Sequence, residues 1–228
     1  MASLNTIFLS LLGGILPALL WLWFWLKEDR LHPEPKLRLT IVFITGMVSV
    51  FLVLPVEKYI YSFTFSSISI LTILLWAATE EIFKYSSAYI SSLKRKDMDE
   101  PIDAVIYMIT AALGFSALEN TLFLFNLIDG SQFYQGLITG NSRFLGATLL
   151  HVASSAIIGV LIGLAYYKKP ATKRIFLFIG ILASIVLHTI FNLLIIKLDE
   201  NKLFVFSGVW VLIVLLIILF EKVKKVNH

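Results

Sequence analysis

Long runs of apolar residues, separated by short polar segments, recur along the whole chain. Each run holds about 18 or more residues, the length that an α-helix needs to cross the hydrocarbon core of a bilayer. The pattern therefore predicts an all-α fold, a polytopic transmembrane helical bundle with about seven spans. The predicted helices cover residues 4–26, 39–56, 65–90, 102–128, 144–167, 175–196 and 203–220.

Composition agrees with this pattern. Of the 228 residues, 58% are hydrophobic and only 15% are charged, whereas a soluble domain carries roughly 25% charged residues. The net charge of +4 lies in short loops between apolar runs, so the expected partner is the lipid bilayer and not a nucleic acid. The chain has no cysteine, which excludes disulfides, iron–sulfur clusters and thiol chemistry.

The basic residues are distributed unevenly between the loops. Fifteen of the 19 Lys and Arg residues belong to the first, third and fifth predicted loops and the C-terminal tail, if Lys84 is counted with the third loop. Because cytoplasmic loops carry an excess of Lys and Arg, this asymmetry predicts an N-terminus outside the cell and a C-terminus in the cytoplasm. An odd number of spans fits that orientation.

Three ionisable residues interrupt the third apolar run: Glu80, Glu81 and Lys84. A charged side chain near the centre of a bilayer costs at least about 2.5–3.5 kcal/mol. Glu80 and Lys84 are also i,i+4 neighbours in the favourable order, so an ion pair between them is expected. Lys84 is close enough to the predicted cytoplasmic end of the helix to extend towards that surface.

Three other predicted helices each carry an ionisable residue well inside their apolar zone. With a rise of about 1.5 Å per residue, Glu119, His151 and His188 lie roughly 11–13 Å from the outer ends of their helices, and Glu80 roughly 22 Å. We therefore predict that carboxyl and imidazole groups from helices three to six meet in one polar cavity. A stripe of small residues one turn apart on the fifth helix, running from Ala147 through His151 to Gly163, favours a close approach of another helix or an extended peptide.

This set of side chains permits hydrolysis without a Ser or Cys nucleophile. A buried carboxyl is a usable general base for water, and His and Asn donors can hold an oxyanion. Alternatively, His151, His188 and one carboxyl, for which Glu119 is the candidate by residue type, could hold Zn²⁺ while another carboxyl acts as the base. No H-E-x-x-H motif supports the zinc arrangement.

Other interpretations of the same residues remain open at this point. The Glu and His residues could form the relay of a proton-coupled transporter, although no internal repeat supports that class. Glu80 and Lys84 could be a purely structural ion pair. Ser155 lies one turn from His151, but no nucleophile motif surrounds it. A retinal-type receptor is excluded, because the predicted seventh helix contains no lysine.

Four short blocks carry a resemblance to a known family. Residues 80–84, EEIFK, resemble the E-E-x-x-K motif of the PrsW family of bacterial intramembrane proteases, and residues 115–120, FSALEN, resemble its F-x-x-x-E-N element. Residues 151–155, HVASS, are similar to its H-x-x-x-S element, and residues 188–192, HTIFN, to its H-x-x-x-N element. The wider superfamily includes type II CAAX prenyl endopeptidases and Abi-type proteins, whose second block usually has His where this chain has Glu119.

The resemblance implies an intramembrane endopeptidase in the plasma membrane of a prokaryote. It further implies a single integral membrane domain over residues 1–228, with its catalytic core in the helices at about 65–197. The implied substrate is a single-span membrane protein, of the anti-sigma-factor type, cut near its extracytoplasmic side. A CAAX-type enzyme would instead act on prenylated cytoplasmic proteins. The sequence does not indicate an oligomeric state.

The resemblance also implies a role for individual residues. By analogy, Glu80 activates water beside Glu81, His151 assists, and His188 with Asn192 stabilises the oxyanion. Family members are described as metalloproteases, whereas the CAAX relatives are argued to work without metal, so both chemistries stay open. The implied catalytic residues are Glu80, Glu81, Glu119, His151, His188 and Asn192, with Lys84 and Ser155 in supporting positions.

Overall fold

Seven long helices make up nearly all of the regular structure in the described part of the chain. The computed structural model describes residues 4–29, 32–65, 67–129, 146–197 and 202–226, and within these ranges it contains helices and turns but no strand. The helices are α1 (Leu4–Trp25), α2 (Lys36–Phe63), α3 (Ile70–Ala88), α4 (Asp103–Asp129), α5 (Ala147–Leu164), α6 (Pro170–Lys197) and α7 (Lys202–Lys224).

Six of these helices, all except α3, are long and apolar enough to cross a membrane. Helix α3 has 19 residues and includes Glu80, Glu81 and Lys84, so its composition departs from that of an ordinary span. The all-α, multi-pass architecture is thus confirmed. The count of seven spans and the orientation of the termini stay predictions from hydropathy and charge.

Several helix boundaries differ from the predicted ones. Helix α2 continues through Pro55 to Phe63 instead of ending near Val56; membrane helices tolerate an internal proline because neighbouring groups satisfy the freed backbone. Helix α6 begins at Pro170, five residues earlier than predicted, and proline is well suited to the first position of a helix. The predicted loop at 129–142 and the predicted start of the fifth helix at residue 144 lie almost entirely outside the described residues.

Helix α4 is the centre of the bundle, since every residue from Pro101 to Leu118 is buried. It packs against α1, α2 and α5. Glycines permit these close contacts: a Cβ atom on Gly46 of α2 would overlap the Ala111 carbonyl oxygen, and one on Gly114 of α4 would overlap that of Phe43. On α5, a Cβ atom at Gly159 would lie 2.6 Å from the Val105 Cα atom, so this end of the predicted small-residue stripe packs against α4.

Helix α3 carries the charged motif into the bundle and contacts α2, α4, α5 and α6. Its first turn is closed by a capping box in which the Ser69 hydroxyl accepts from the Thr72 N–H at 3.2 Å. A π-helical turn, Tyr89–Leu93, follows its last residue. Glu81 and Lys84 have no exposed surface at all, so Lys84 does not extend towards the membrane surface as its sequence position suggested.

Candidate active site

Glu81 is fully buried in the interior of the bundle and is bonded by several neighbouring side chains. Its Oε1 atom lies 2.5 Å from the Lys84 Nζ atom and 2.8 Å from the His188 Nδ1 atom. Three serine hydroxyls also donate to its carboxylate, at 2.8–3.0 Å, from Ser154, Ser155 and Ser184. Since a buried charge is tolerated only when it is paired and hydrogen-bonded, these five donors account for the position of Glu81.

Glu80, the neighbouring carboxyl, has a different environment. Its Oε2 atom is buried and makes no hydrogen bond, while 10% of the side chain is exposed. Around this atom lie the Lys84 Nζ atom at 3.7 Å, the His151 Nδ1 atom at 3.7 Å and the His188 Nε2 atom at 3.8 Å. The main partner of Lys84 is therefore Glu81, and the predicted Glu80–Lys84 pair is the longer of its two carboxylate contacts.

The two imidazoles face each other across this centre, with ring centroids 5.2 Å apart and planes at 81°. The Nδ1–H of His188 donates to the Glu81 carboxylate, which can only accept, and its Nε2 atom faces Glu80. The Nδ1 atom of His151 lies 3.0 Å from the Lys84 ammonium. Because an ammonium group can only donate, this nitrogen accepts, and the opposite Nε2–H donates to Glu119.

Glu119 lies at the open side of the cluster. Its Oε2 atom is 3.0 Å from the His151 Nε2 atom, and 32% of its side chain is exposed. Asn120, the next residue, is buried, and its amide donates to the Ser116 hydroxyl of its own helix at 3.2 Å and to the Thr148 hydroxyl of α5 at 3.0 Å. In the FSALEN block, Glu119 thus faces the cavity while Asn120 joins two helices.

Two of the predicted residues have positions that change their interpretation. The Ser155 hydroxyl donates to Glu81 at 3.0 Å and not to His151, so it supports the carboxylate and is not arranged as a nucleophile. Asn192 is half-buried one turn beyond His188, and its side chain makes no hydrogen bond with another described residue.

Three polar residues of this region were missed by sequence reasoning. Ser154 and Ser184 donate to Glu81 at 2.9 and 2.8 Å, but isolated serines in apolar runs carry no distinguishing signal. Glu57 lies just beyond the predicted end of the second helix; because α2 continues to Phe63, Glu57 belongs to this helix and its carboxyl interacts electrostatically with that of Glu80.

Glu80, His151 and His188 form a group that could hold a metal ion, since their ligand atoms lie within 4.8 Å of one another and all three residues are buried. The donor atoms around a tetrahedral Zn²⁺ are separated by about 3.4 Å, close to the 3.7 and 3.8 Å that separate Glu80 from the two imidazoles. The unpartnered Glu80 oxygen also fits a cation. The structure thus groups Glu80 with the histidines, whereas Glu119 contacts the opposite nitrogen of His151.

Comparisons with known proteins identify the family. The family profile described as PrsW family intramembrane metalloprotease matches residues 34–220. A Protease PrsW from Halalkalibacterium halodurans is 26% identical over 97% of this chain and 98% of its own length. The Protease PrsW of Oceanobacillus iheyensis is 30% identical over 81% of this chain and 82% of its own, and that of Bacillus subtilis is 23% identical over 82% and 83%.

No solved structure matches this chain. The profile match covers most of the chain and spans α2 to α7, including every residue of the cluster around Glu80 and Glu81. The chain therefore belongs to the PrsW family of intramembrane proteases.

Proposed function

We propose that this protease hydrolyses a peptide bond of a single-span membrane protein near its extracytoplasmic side, and that Glu80 takes the proton from the attacking water. The observation that supports this role is the buried Glu80 Oε2 atom, which has no hydrogen-bond partner and lies between two imidazoles and an ammonium group. A carboxylate held in this way is available to a water molecule or a substrate group in the cavity.

The neighbouring residues would transfer protons and stabilise the oxyanion. His188 turns its Nε2 atom towards the centre because its Nδ1–H donates to Glu81. His151, bonded to Glu119 through Nε2, can pass a proton between the centre and the exposed side of the cavity. We assign the carbonyl oxygen of the scissile bond to the side of Asn192, whose amide is free of other described partners and could stabilise the oxyanion.

The same atoms define how a metal would be held. Glu80, His151 and His188 would be its ligands, and a divalent metal, when bound, supplies Lewis-acid activation of water or of the scissile carbonyl. Lys84 would have to leave the His151 Nδ1 atom, and Glu81, its closer partner at 2.5 Å, can retain it. Under this arrangement Glu80 is a ligand, and the nearby carboxyls of Glu57 and Glu119 are the remaining candidates for the base.

The position of the cluster along its helices supports cleavage near the extracytoplasmic side. Glu119 is about 15 Å from the C-terminal end of α4, His151 about 6 Å from the N-terminal end of α5, and His188 about 14 Å from the C-terminal end of α6. All three ends lie opposite the Lys-rich loops, which charge asymmetry predicts to be cytoplasmic. By resemblance to the family, an anti-sigma-factor-type protein is the expected substrate.

N-terminal proteomics of bacterial membranes tests the proposal. Cells expressing the wild-type chain should accumulate a fragment of a single-span protein whose new terminus maps to the extracytoplasmic side. Glu80→Gln should abolish that fragment, while the matched variant Glu221→Gln on the exposed surface of α7 should retain it. Persistence of the fragment in Glu80→Gln would refute the role of Glu80, and a cut on the cytoplasmic side would favour a CAAX-type reaction.

Metal analysis of the purified protein separates the two chemistries. If the ligand arrangement is correct, the wild-type protein binds about one equivalent of Zn²⁺, His188→Ala loses it, and a chelator removes activity. If Glu80 acts as the base without metal, activity survives the chelator and no stoichiometric metal is found. Both outcomes keep Glu80, His151 and His188 in the active site. The result decides whether Glu80 is a metal ligand or the general base.

A further inference from the structure

A second cavity, of about 510 Å³, lies at the end of the bundle that carries the basic loops. The end of α3 and its π-helical turn, the end of α5 and the start of α6 form its walls. Tyr85 and Tyr89 line one wall and Tyr166 another. No residue of the cluster around Glu80 lines this cavity, so its ligand is independent of the assignment of the catalytic residues.

Four cationic side chains converge on this cavity: Lys94 and Arg95 after the π-helical turn, and Lys173 and Arg174 in the first turns of α6. They come from two segments separated by nearly 80 residues, and all four are exposed. None of them forms an ion pair with a described carboxylate, and no Asp or Glu is among the residues that line the cavity. The cavity is therefore complementary to an anion.

Tyrosine rings contact two of these four cationic side chains. The Lys94 ammonium lies 5.7 Å from the centroid of the Tyr89 ring, and that of Lys173 lies 5.5 Å from the Tyr166 ring. Contacts within about 6 Å are attractive cation–π interactions. Tyrosines at this level are typical of the headgroup region of a membrane, so the cationic rim is expected to lie at the depth of lipid phosphates.

The floor of the cavity is apolar and continues onto the lipid-facing surface. Leu93, Ile162 and Leu177 lie beneath the charged rim. On α6 the adjacent side chains of Ile175 and Phe178 are 57% and 68% exposed, so an apolar track leads away from the rim along the helix. A cationic rim above an apolar track matches an amphiphile with an anionic head and hydrocarbon tails.

We propose that this cavity binds one anionic phospholipid, with its phosphate between Lys94, Arg95, Lys173 and Arg174 and an acyl chain along the exposed face of α6. Basic residues that serve only to orient a chain in the membrane need no cavity. Lys168 and Lys169 belong to the same basic segment as Lys173 and Arg174, yet they do not line the cavity. They provide a control with the same charge in nearly the same place.

Native mass spectrometry of the full-length protein in detergent, with equal amounts of phosphatidylglycerol and phosphatidylcholine, tests the proposal. The wild-type protein should retain one phosphatidylglycerol with a preference of about tenfold or more, since each basic residue near an anionic headgroup contributes substantially to binding. The variants K173Q/R174Q and K94Q/R95Q should each reduce that preference to near one. The control K168Q/K169Q should stay within about twofold of the wild-type protein.

Three results would overturn the proposal: equal retention of the two lipids by the wild-type protein, an equal loss in K168Q/K169Q, or no loss in either cavity variant. A further arm adds millimolar inorganic phosphate to the wild-type protein; complete displacement of the lipid would also overturn the proposal, because the site would then prefer a free anion to a lipid. Helical content by circular dichroism confirms that each variant is folded. Because the two cavity variants lie on separate segments, either one alone decides the question if the other does not fold.

Discussion

Glu80 and Glu81 are adjacent in sequence and identical in chemistry, yet the structure gives them opposite surroundings. Five donors surround Glu81 at 2.5–3.0 Å, whereas the Glu80 Oε2 atom has contacts of 3.7–3.8 Å and no hydrogen bond. A carboxylate whose two oxygens both accept hydrogen bonds, such as Glu81, stabilises the fold and orients its neighbours. A carboxylate with an oxygen that accepts no hydrogen bond, such as Glu80, is available for reaction. Burying that oxygen costs free energy, which its surroundings must offset.

The strongest test of this difference is Glu81→Ala. The substitution leaves the fully buried Lys84 ammonium without its closest partner, and removing one member of a buried ion pair typically costs about 3–5 kcal/mol. We expect a comparable loss in the free energy of unfolding, and loss of cleavage with it. Chemical unfolding of the purified protein in detergent measures the change, with Glu221→Ala as the exposed control. A variant as stable as the wild-type protein would contradict the structural role of Glu81.

Glu80→Gln should separate activity from stability. General acid–base groups contribute about 10²–10⁴-fold to a rate, so cleavage should fall by that factor. The unfolding midpoint should change far less than in Glu81→Ala, because the Glu80 Oε2 atom makes no hydrogen bond that the amide would lose. Cleavage assays and unfolding of the same preparation measure both quantities. If Glu80→Gln unfolds as readily as Glu81→Ala, the two carboxyls do not differ as described.

Ser184→Ala tests the serines that donate to Glu81. Hydrogen bonds to charged groups contribute about 1.5–3 kcal/mol, and the Ser184 hydroxyl lies 2.8 Å from the Glu81 Oε2 atom. We expect a loss of stability in that range, smaller than for Glu81→Ala. Ser86→Ala is a matched control, because the Ser86 hydroxyl donates to a backbone carbonyl of its own helix and not to the cluster. Equal losses of unfolding free energy in the two variants would show that the hydrogen bond from Ser184 to Glu81 adds no more stability than one to a backbone carbonyl.

Substitutions of Glu57 should have the smallest effect and refine the description of Glu80. The Glu57 carboxyl lies close enough to Glu80 for the two groups to interact electrostatically, so its charge can influence that side chain. We expect Glu57→Ala to lower the cleavage rate by roughly tenfold, and Glu57→Gln, which can still donate a hydrogen bond, by less. Steady-state kinetics should show a lower kcat with little change in KM. Identical rates for both variants and the wild-type protein would remove Glu57 from the site.

Much of the candidate site was predictable because each motif carries an ionisable residue into an apolar run. Glu80, Glu119, His151 and His188 are all expensive to bury singly, and this cost predicted that they would meet. The contributions of Glu57 and Ser184 were not predictable in this way. A serine costs little in a membrane helix, and the position of Glu57 depends on whether α2 ends or continues at Pro55.

The sequence by itself determined the helical class, the approximate extent of the helices and the family, because hydrophobic length and the four motif blocks are local properties of the chain. Only the tertiary structure decided which of the two carboxyls is fully hydrogen-bonded and which has an oxygen without a hydrogen bond. That distinction depends on the serines and imidazoles that α5 and α6 bring against α3, and on the Lys84 ammonium group of α3 itself. Since Glu80 and Glu81 differ by about 100° around the helix axis, the packing of these neighbouring helices assigns each of them its role.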